Sequence, residues 1–182
     1  SSGCIYNGYD KEFTEEDTPN FSFGSDCSFY SGTKALAEKL IDKDNSYICR
    51  LRIPFDNINS PRNYISKLVN YEKLLDARNS ISHREEFVDA CLHLIENGCD
   101  RGIYNITNTG SVTTRDVVSL IREHTDLMGD CSFFDSEEEF YTTKAKTPRS
   151  NCVLDNSKLL STGFNIRCTE EALVDSLKNW RT

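Results

Sequence analysis

Apolar and polar positions change their period several times along this chain, and each change marks an element. Residues 29–42 set Ala35, Leu36, Leu40 and Ile41 at helical spacing, which predicts an amphipathic helix. The apolar run within 46–53 reads as a strand stopped by Pro54. A short strand is expected over 2–6, so strand, helix and strand follow in the order of a parallel crossover unit. Between the first strand and the helix, residues 7–28 are polar with scattered aromatics and read as a loop. Further helices are predicted over 62–74, 85–97, 113–124 and 169–180, with a strand over 102–107. Gly98 stops the second of these helices. Thr113 caps the third, with Asp116 at N3 as a variant capping box. The acidic stretch 135–139 reads as a solvated surface. There is no internal repeat, low-complexity tract or long linker, and the expected fold class is α/β.

Composition narrows the function classes. A chain of 182 residues is long enough for a single core. Its net charge of −8 argues against a nucleic-acid surface. Acidic proteins still bind anionic nucleotides, through a few local Arg, Lys and backbone N–H groups. No apolar run reaches the roughly 18 residues of a membrane helix, and no secretory signal is visible, although a true N-terminus is not in view; a cytoplasmic location is the expectation. Eight cysteines make no CxxC pair, and their irregular spacing does not suit zinc. Apolar neighbours such as Ile48 before Cys49 and Ala90 before Cys91 favour reduced thiols over a disulfide framework. The three histidines do not cluster, so neither a metal nor a catalytic histidine is assigned.

The segment FYSGTKALAEKL carries the strongest chemical signal. A free phenol has a pKa of about 10 and is a poor proton shuttle at neutrality. Lys34 shares a helix face with Tyr30 at i+4, and an ammonium so placed favours the phenolate. With the Ser2 hydroxyl to hold a carbonyl oxygen, the set can exchange a proton with a carbonyl while hydride moves. Taken alone, YxxxK also fits two ordinary residues on an amphipathic helix.

The wider pattern is more specific. SSGCIY, EEDTPNF, FYSGTKALAEKLI, LRIPF, SPRNYISKL, RGIYNITNTGSVTTRDVVSLI and TPRSNCVLDNSKL follow in that order. Together they resemble the second half of an extended short-chain dehydrogenase/reductase, most of all the UDP-4-keto-6-deoxyglucose 3,5-epimerase/4-reductases of UDP-rhamnose synthesis. Bacterial dTDP-4-dehydrorhamnose reductases and GDP-fucose synthases resemble it more distantly. The likeness implies the C-terminal part of a Rossmann-type parallel sheet with a small α/β substrate-binding region. It assigns residues 1–57 to the NAD(P)-binding domain and 58–182 mainly to nucleotide-sugar binding, with segments returning to the core sheet. The family's glycine-rich strand-turn-helix is missing: there is no GxxGxxG or GxGxxG among nine scattered glycines. The expectation is therefore a fragment without its N-terminal half.

What the resemblance implies for individual residues is as follows. Ser2 hydrogen-bonds the C4 oxygen of the sugar, Tyr30 protonates the C4 alkoxide, and Lys34 supports Tyr30 and the nicotinamide ribose. Cys4, two residues after the serine, and Lys67, within NYISKL, flank the sugar and move protons at C3 and C5. Pro54 and Phe55 follow the strand whose end lies beside the nicotinamide. Arg149 pairs with the pyrophosphate, and Asn63 touches the sugar or pyrophosphate unless it only starts a helix. The implied cofactor is NADPH, with NADH as the alternative. The implied partners are a nucleotide-sugar substrate and a second copy in a homodimer, with no nucleic acid and no membrane. Two rivals stay open: a plain 4-ketoreductase for a dTDP-sugar, and a non-catalytic nucleotide-sugar-binding remnant. Which of UDP, dTDP or GDP is bound stays open too. The loop 7–20 is shorter than in plant relatives, a departure that bears on sugar preference.

Overall fold

The computed structural model describes residues 1–181. Ser2 makes an isolated parallel bridge to Leu51, and the strand expected over 2–6 goes no further. Gly3–Ile5 instead winds into a single 3-10 turn. Ser2 Oγ accepts the Cys4 N–H at 3.2 Å, and the Tyr6 N–H closes onto Gly3 O at 3.2 Å. A serine side chain that bonds its own local backbone competes in this way with a strand ladder.

The loop expected over 7–28 contains a strand, β1 (Gly8–Phe13), paired in parallel with β8 (Cys152–Leu154). Of the six β1 residues only Phe13 is fully buried, so its polar face hides the two-residue alternation. Helix α1 (Phe29–Leu40) starts where Ser28 Oγ accepts the Ser31 N–H at 3.1 Å. Its buried face is Ser31, Gly32, Ala35 and Glu38. The apolar set expected to face inward is mostly outside, with Leu36, Leu40 and Ile41 exposed.

Strand β2 (Tyr47–Arg50) lies parallel to β6 (Gly102–Asn105), in register from Tyr47↔Gly102 to Arg50↔Asn105. The Ser2–Leu51 bridge, α1 and β2 form the expected crossover. Strand β3 (Pro54–Phe55) pairs with β5 (Ser82–His83), and β4 (Lys73–Leu74) with β7 (Ser132–Phe133), both in parallel. Helix α2 is shorter than the predicted 62–74, covering Tyr64–Asn70, because its tail peels off into β4.

Helix α3 (Arg84–Glu96) ends before Gly98, whose φ of 59° is the left-handed conformation of a helix stop. Helix α4 (Thr114–His124) carries the expected Thr113–Asp116 capping box. The acidic stretch near 135–139 is partly helical, as α5 (Glu137–Thr143), where three glutamates complement the N-terminal dipole. Helices α6 (Ser157–Ser161) and α7 (Thr169–Lys178) complete the chain.

Three apolar clusters hold these elements together. The largest joins β3, α2, α4 and α7 around Phe55, Ile65, Val117, Ile121 and Leu173. A second lies beneath the 3-10 turn, with Ile5, Tyr6, Phe13, Ala35, Cys152 and Leu154. The third sits between α3 and β6. Between α1 and β2, Arg50 Nη2 meets Glu38 Oε2 at 2.7 Å, with both side chains almost wholly buried. All eight cysteines are free thiols.

Candidate active site

The 3-10 turn positions two of the expected groups at once. Ser2 is buried and its oxygen accepts from the Cys4 backbone, which leaves the hydroxyl proton free to donate. Cys4 is half-buried on the same turn. Gly3 between them is sterically required: a Cβ there would overlap Leu154 and press on Arg52 Cδ. The turn therefore lies flat on the Arg52 stem, and Arg52 Nη1 donates to Cys4 Sγ at 3.5 Å.

Helix α1 packs against that turn and carries Tyr30 and Lys34. Lys34 Nζ lies 5.4 Å from the centre of the Tyr30 ring, so the cation and the phenol share one face. Tyr30 is 52% exposed, and its hydroxyl is therefore reachable from outside the chain. The sequence spacing explains Gly32 as well: a Cβ at that position would run into the Phe23 ring, which lies across α1.

Lys67, exposed near the end of α2, lines a cavity of about 770 Å³. Arg149, Ser150, Asn79 and Lys144 share the wall, with Tyr64, Phe134 and Phe140 as aromatic surface. Arg149 is exposed and also borders a neighbouring cavity of about 680 Å³ with Asn7, Asn20, Tyr141 and Lys146. Three cations, Lys67, Lys144 and Arg149, thus face one hollow without a carboxylate salt bridge among the described residues. Such a hollow suits an anionic ligand with an apolar ring. Lys73, on the same wall, is already engaged by Glu139.

Other expected residues fare differently. Asn63 is fully buried and caps α2 through Ile65 N–H. Its amide nitrogen is spent on Asp56 O, Asp56 Oδ1 and Ile58 O, so the helix-start alternative describes it. Phe55 is a core residue edge-on to His83 at 5.4 Å between ring centres, which leaves only its backbone to meet a cofactor. Pro54 is half-buried at the start of β3. Tyr30, Lys34, Ser2 and Cys4 do not line the cavity of Lys67 and Arg149; they cluster on the α1 side.

Two features escaped the sequence reading. Ile53, which lines the cavity, has φ of 37°, a strained conformation for a β-branched residue. Arg52 is 1% exposed and spans the turn, Ser150 and Asn79. Its only sequence signal was an arginine inside the apolar run LRIPF. Among the described residues no cluster of His, Cys, Asp or Glu has the form of a metal site, and no helix is long and apolar enough to cross a membrane.

Parallel strands crossed by helices, with a serine turn against a YxxxK helix, define the class by its fold: the C-terminal part of a Rossmann-type α/β sheet. Within that class the chain is a homologue of the nucleotide-rhamnose epimerase/reductases. It is 34% identical over 185 residues to a bifunctional dTDP-4-dehydrorhamnose 3,5-epimerase/reductase of Arabidopsis thaliana, covering 96% of this chain and 58% of that protein. A trifunctional plant enzyme, UDP-glucose 4,6-dehydratase/UDP-4-keto-6-deoxy-D-glucose 3,5-epimerase/UDP-4-keto-L-rhamnose-reductase, also from Arabidopsis thaliana, is 33% identical across 96% of this chain and 26% of its own. The crystal structure of the L780 UDP-rhamnose synthase from Acanthamoeba polyphaga mimivirus superposes with a TM-score of 0.86. It is 25% identical, over 98% of this chain and 62% of that one. The chain thus spans less than two thirds of the length of each. No family model matches it.

Proposed function

We propose that the protein carrying this chain epimerises UDP-4-keto-6-deoxyglucose at C3 and C5 and then reduces C4 to give UDP-L-rhamnose. The observation that supports this most is the single turn that carries both Ser2 and Cys4. It sets a hydroxyl for the C4 oxygen and a thiol for the flanking carbon on adjacent sites of one rigid piece. A plain 4-ketoreductase needs the first and has no use for the second.

Hydrogens at C3 and C5 are acidic because the C4 ketone stabilises the carbanion. Cys4 removes a proton from one face of the sugar, and Lys67 returns one to the other. The Ser2 hydroxyl donates to the C4 oxygen as negative charge collects there. Tyr30 then gives its proton to the C4 oxygen, and Lys34 stabilises the phenolate left behind. The donor set of Tyr30 and Lys34 fits a nicotinamide cofactor, which supplies hydride when bound; NADPH is our assignment. Lys34 would hold its ribose, and the backbone at Pro54 and Phe55, after β2, would meet its carboxamide.

Arg149 and Lys144 pair with the pyrophosphate, and the aromatic wall at Phe134 and Phe140 faces the base. On this reading residues 1–57 belong to the cofactor domain and 58–182 mainly to the substrate region. The protein acts as a homodimer in the cytoplasm.

The test is Cys4→Ser. Solvent deuterium exchange at C3 and C5 falls at least about a hundredfold, by the scale of a lost general acid–base group. Reduction of pre-epimerised UDP-4-keto-L-rhamnose persists. Absence of exchange in the unsubstituted protein would favour the plain ketoreductase, and exchange that survives the substitution would remove Cys4 from the epimerase pair.

A further inference from the structure

Arg52 is one of the most deeply buried side chains of the protein, and no carboxylate pairs with it among the described residues. The neighbouring strand arginine shows the contrast. Arg50, equally buried, forks onto both oxygens of Glu38. Arg52 Nη1 donates instead to Cys4 Sγ at 3.5 Å and to Ser150 Oγ at 3.0 Å. Its Nη2 donates to Ser150 O at 2.8 Å and to Asn79 Oδ1, while Nε has no partner. A guanidinium placed among neutral oxygens is costly to bury, and the group that relieves the cost is one able to carry negative charge. Cys4 sulfur is the one contact of that kind.

The same contacts solve a geometric problem. Cys4 and Lys67 must flank one sugar, yet Lys67 lines the cavity and Cys4 does not. Ser150 and Asn79 do line it. Ser150 is itself fixed, donating to Tyr6 O at 2.5 Å, and Asn79 donates to Asn151 Oδ1 at 3.1 Å. Arg52 is the side chain that reaches from this wall to the sulfur, and Gly3 leaves the space for its stem.

We propose that Arg52 is a positioning residue for epimerisation: it ties Cys4 Sγ to the substrate wall and holds its guanidinium against the sulfur. This rests on the reading of Cys4 as a proton-transfer group, but the Arg52–Cys4 coupling is measurable without turnover. The thiolate is the reacting form of cysteine, and a cationic donor to sulfur favours it. Iodoacetamide labelling of the folded chain, followed at Cys4 by peptide mass spectrometry with half-buried Cys27 as internal reference, reads it directly.

In Arg52→Gln, Cys4 labelling slows on the order of tenfold relative to Cys27, the scale of one charged hydrogen bond. Arg52→Lys, which keeps the charge and loses the fork, recovers part of the rate. A purely structural Arg52 predicts the opposite, since loosening the turn exposes Cys4 and speeds its labelling; an unchanged or faster rate overturns the proposal. Should Arg52→Gln not fold, Arg52→Lys decides: a single ammonium cannot hold the wall and the sulfur together, and the Cys4 rate falls severalfold or the proposal fails. Exchange at C3 and C5 that persists in Cys4→Ser would sink the role of Cys4 in epimerisation and leave the labelling result standing.

Discussion

Tyr30 stands half out of the surface, with the Lys34 ammonium over its ring, and so its loss reads out in chemistry rather than in stability. Tyr30→Phe is expected to lower the C4 reduction rate by about a hundredfold or more, with the melting temperature nearly unchanged. Deuterium exchange at C3 and C5 continues in that variant, which a rate assay and proton NMR on the same sample check together. Glu38 gives the reverse pattern. Glu38→Ala leaves Arg50 charged and buried without its fork, at a cost of about 3–5 kcal/mol, measured by denaturant unfolding. Sequence pattern singled out Ser2, Tyr30 and Lys34 as candidates, through the i, i+4 spacing of the last two and the family resemblance for the first. It did not carry Arg52, whose partners at 79 and 150 are far away in sequence.

Among the elements, those with strong local signals were legible: α4 has its predicted cap and α3 ends before its glycine. Strand β1 was not, because its partner β8 lies over a hundred residues on and its side chains are mostly exposed. The inward face of α1 misled for a related reason. A salt-bridged glutamate and small residues line it, while leucines point outward, so apolarity did not mark burial. The 3-10 turn is an element whose geometry rests on one residue. Gly3→Ala forces a methyl into Leu154 and the Arg52 stem, and is expected to cost ~1–3 kcal/mol as overpacking. Thermal unfolding measures the loss, and a Tm equal to wild type would mean that the turn can lift away from Arg52.

At the scale of the whole molecule, acid acts through the β5–α3 corner. Burial holds the His83 imidazole below its ordinary value. The unfolded chain therefore takes up that proton first, below about pH 6.5, and stability falls as pH drops through this window. Glu86 beside it acts lower. Burial opposes its ionisation, but bonds from Arg167 and Asn108 hold the carboxyl below its usual range. Its contribution is full above the unfolded carboxyl value and is lost as pH falls below about 4.5. Unfolding followed from about pH 7 to about pH 5.5 should show a declining Tm, with a shallower decline in His83→Asn, whose amide oxygen can cap α3 in place of the His83 Nδ1. An equal slope in both proteins would place the titrating group elsewhere.

The central claim is that one turn serves both epimerisation and reduction. Turnover of UDP-4-keto-6-deoxyglucose in D₂O, with the product resolved by NMR, tests it most directly. The expected product is UDP-L-rhamnose carrying deuterium at both C3 and C5, with its C4 hydrogen derived from the nicotinamide. A reduced product that retains solvent-free hydrogens at C3 and C5 would contradict it.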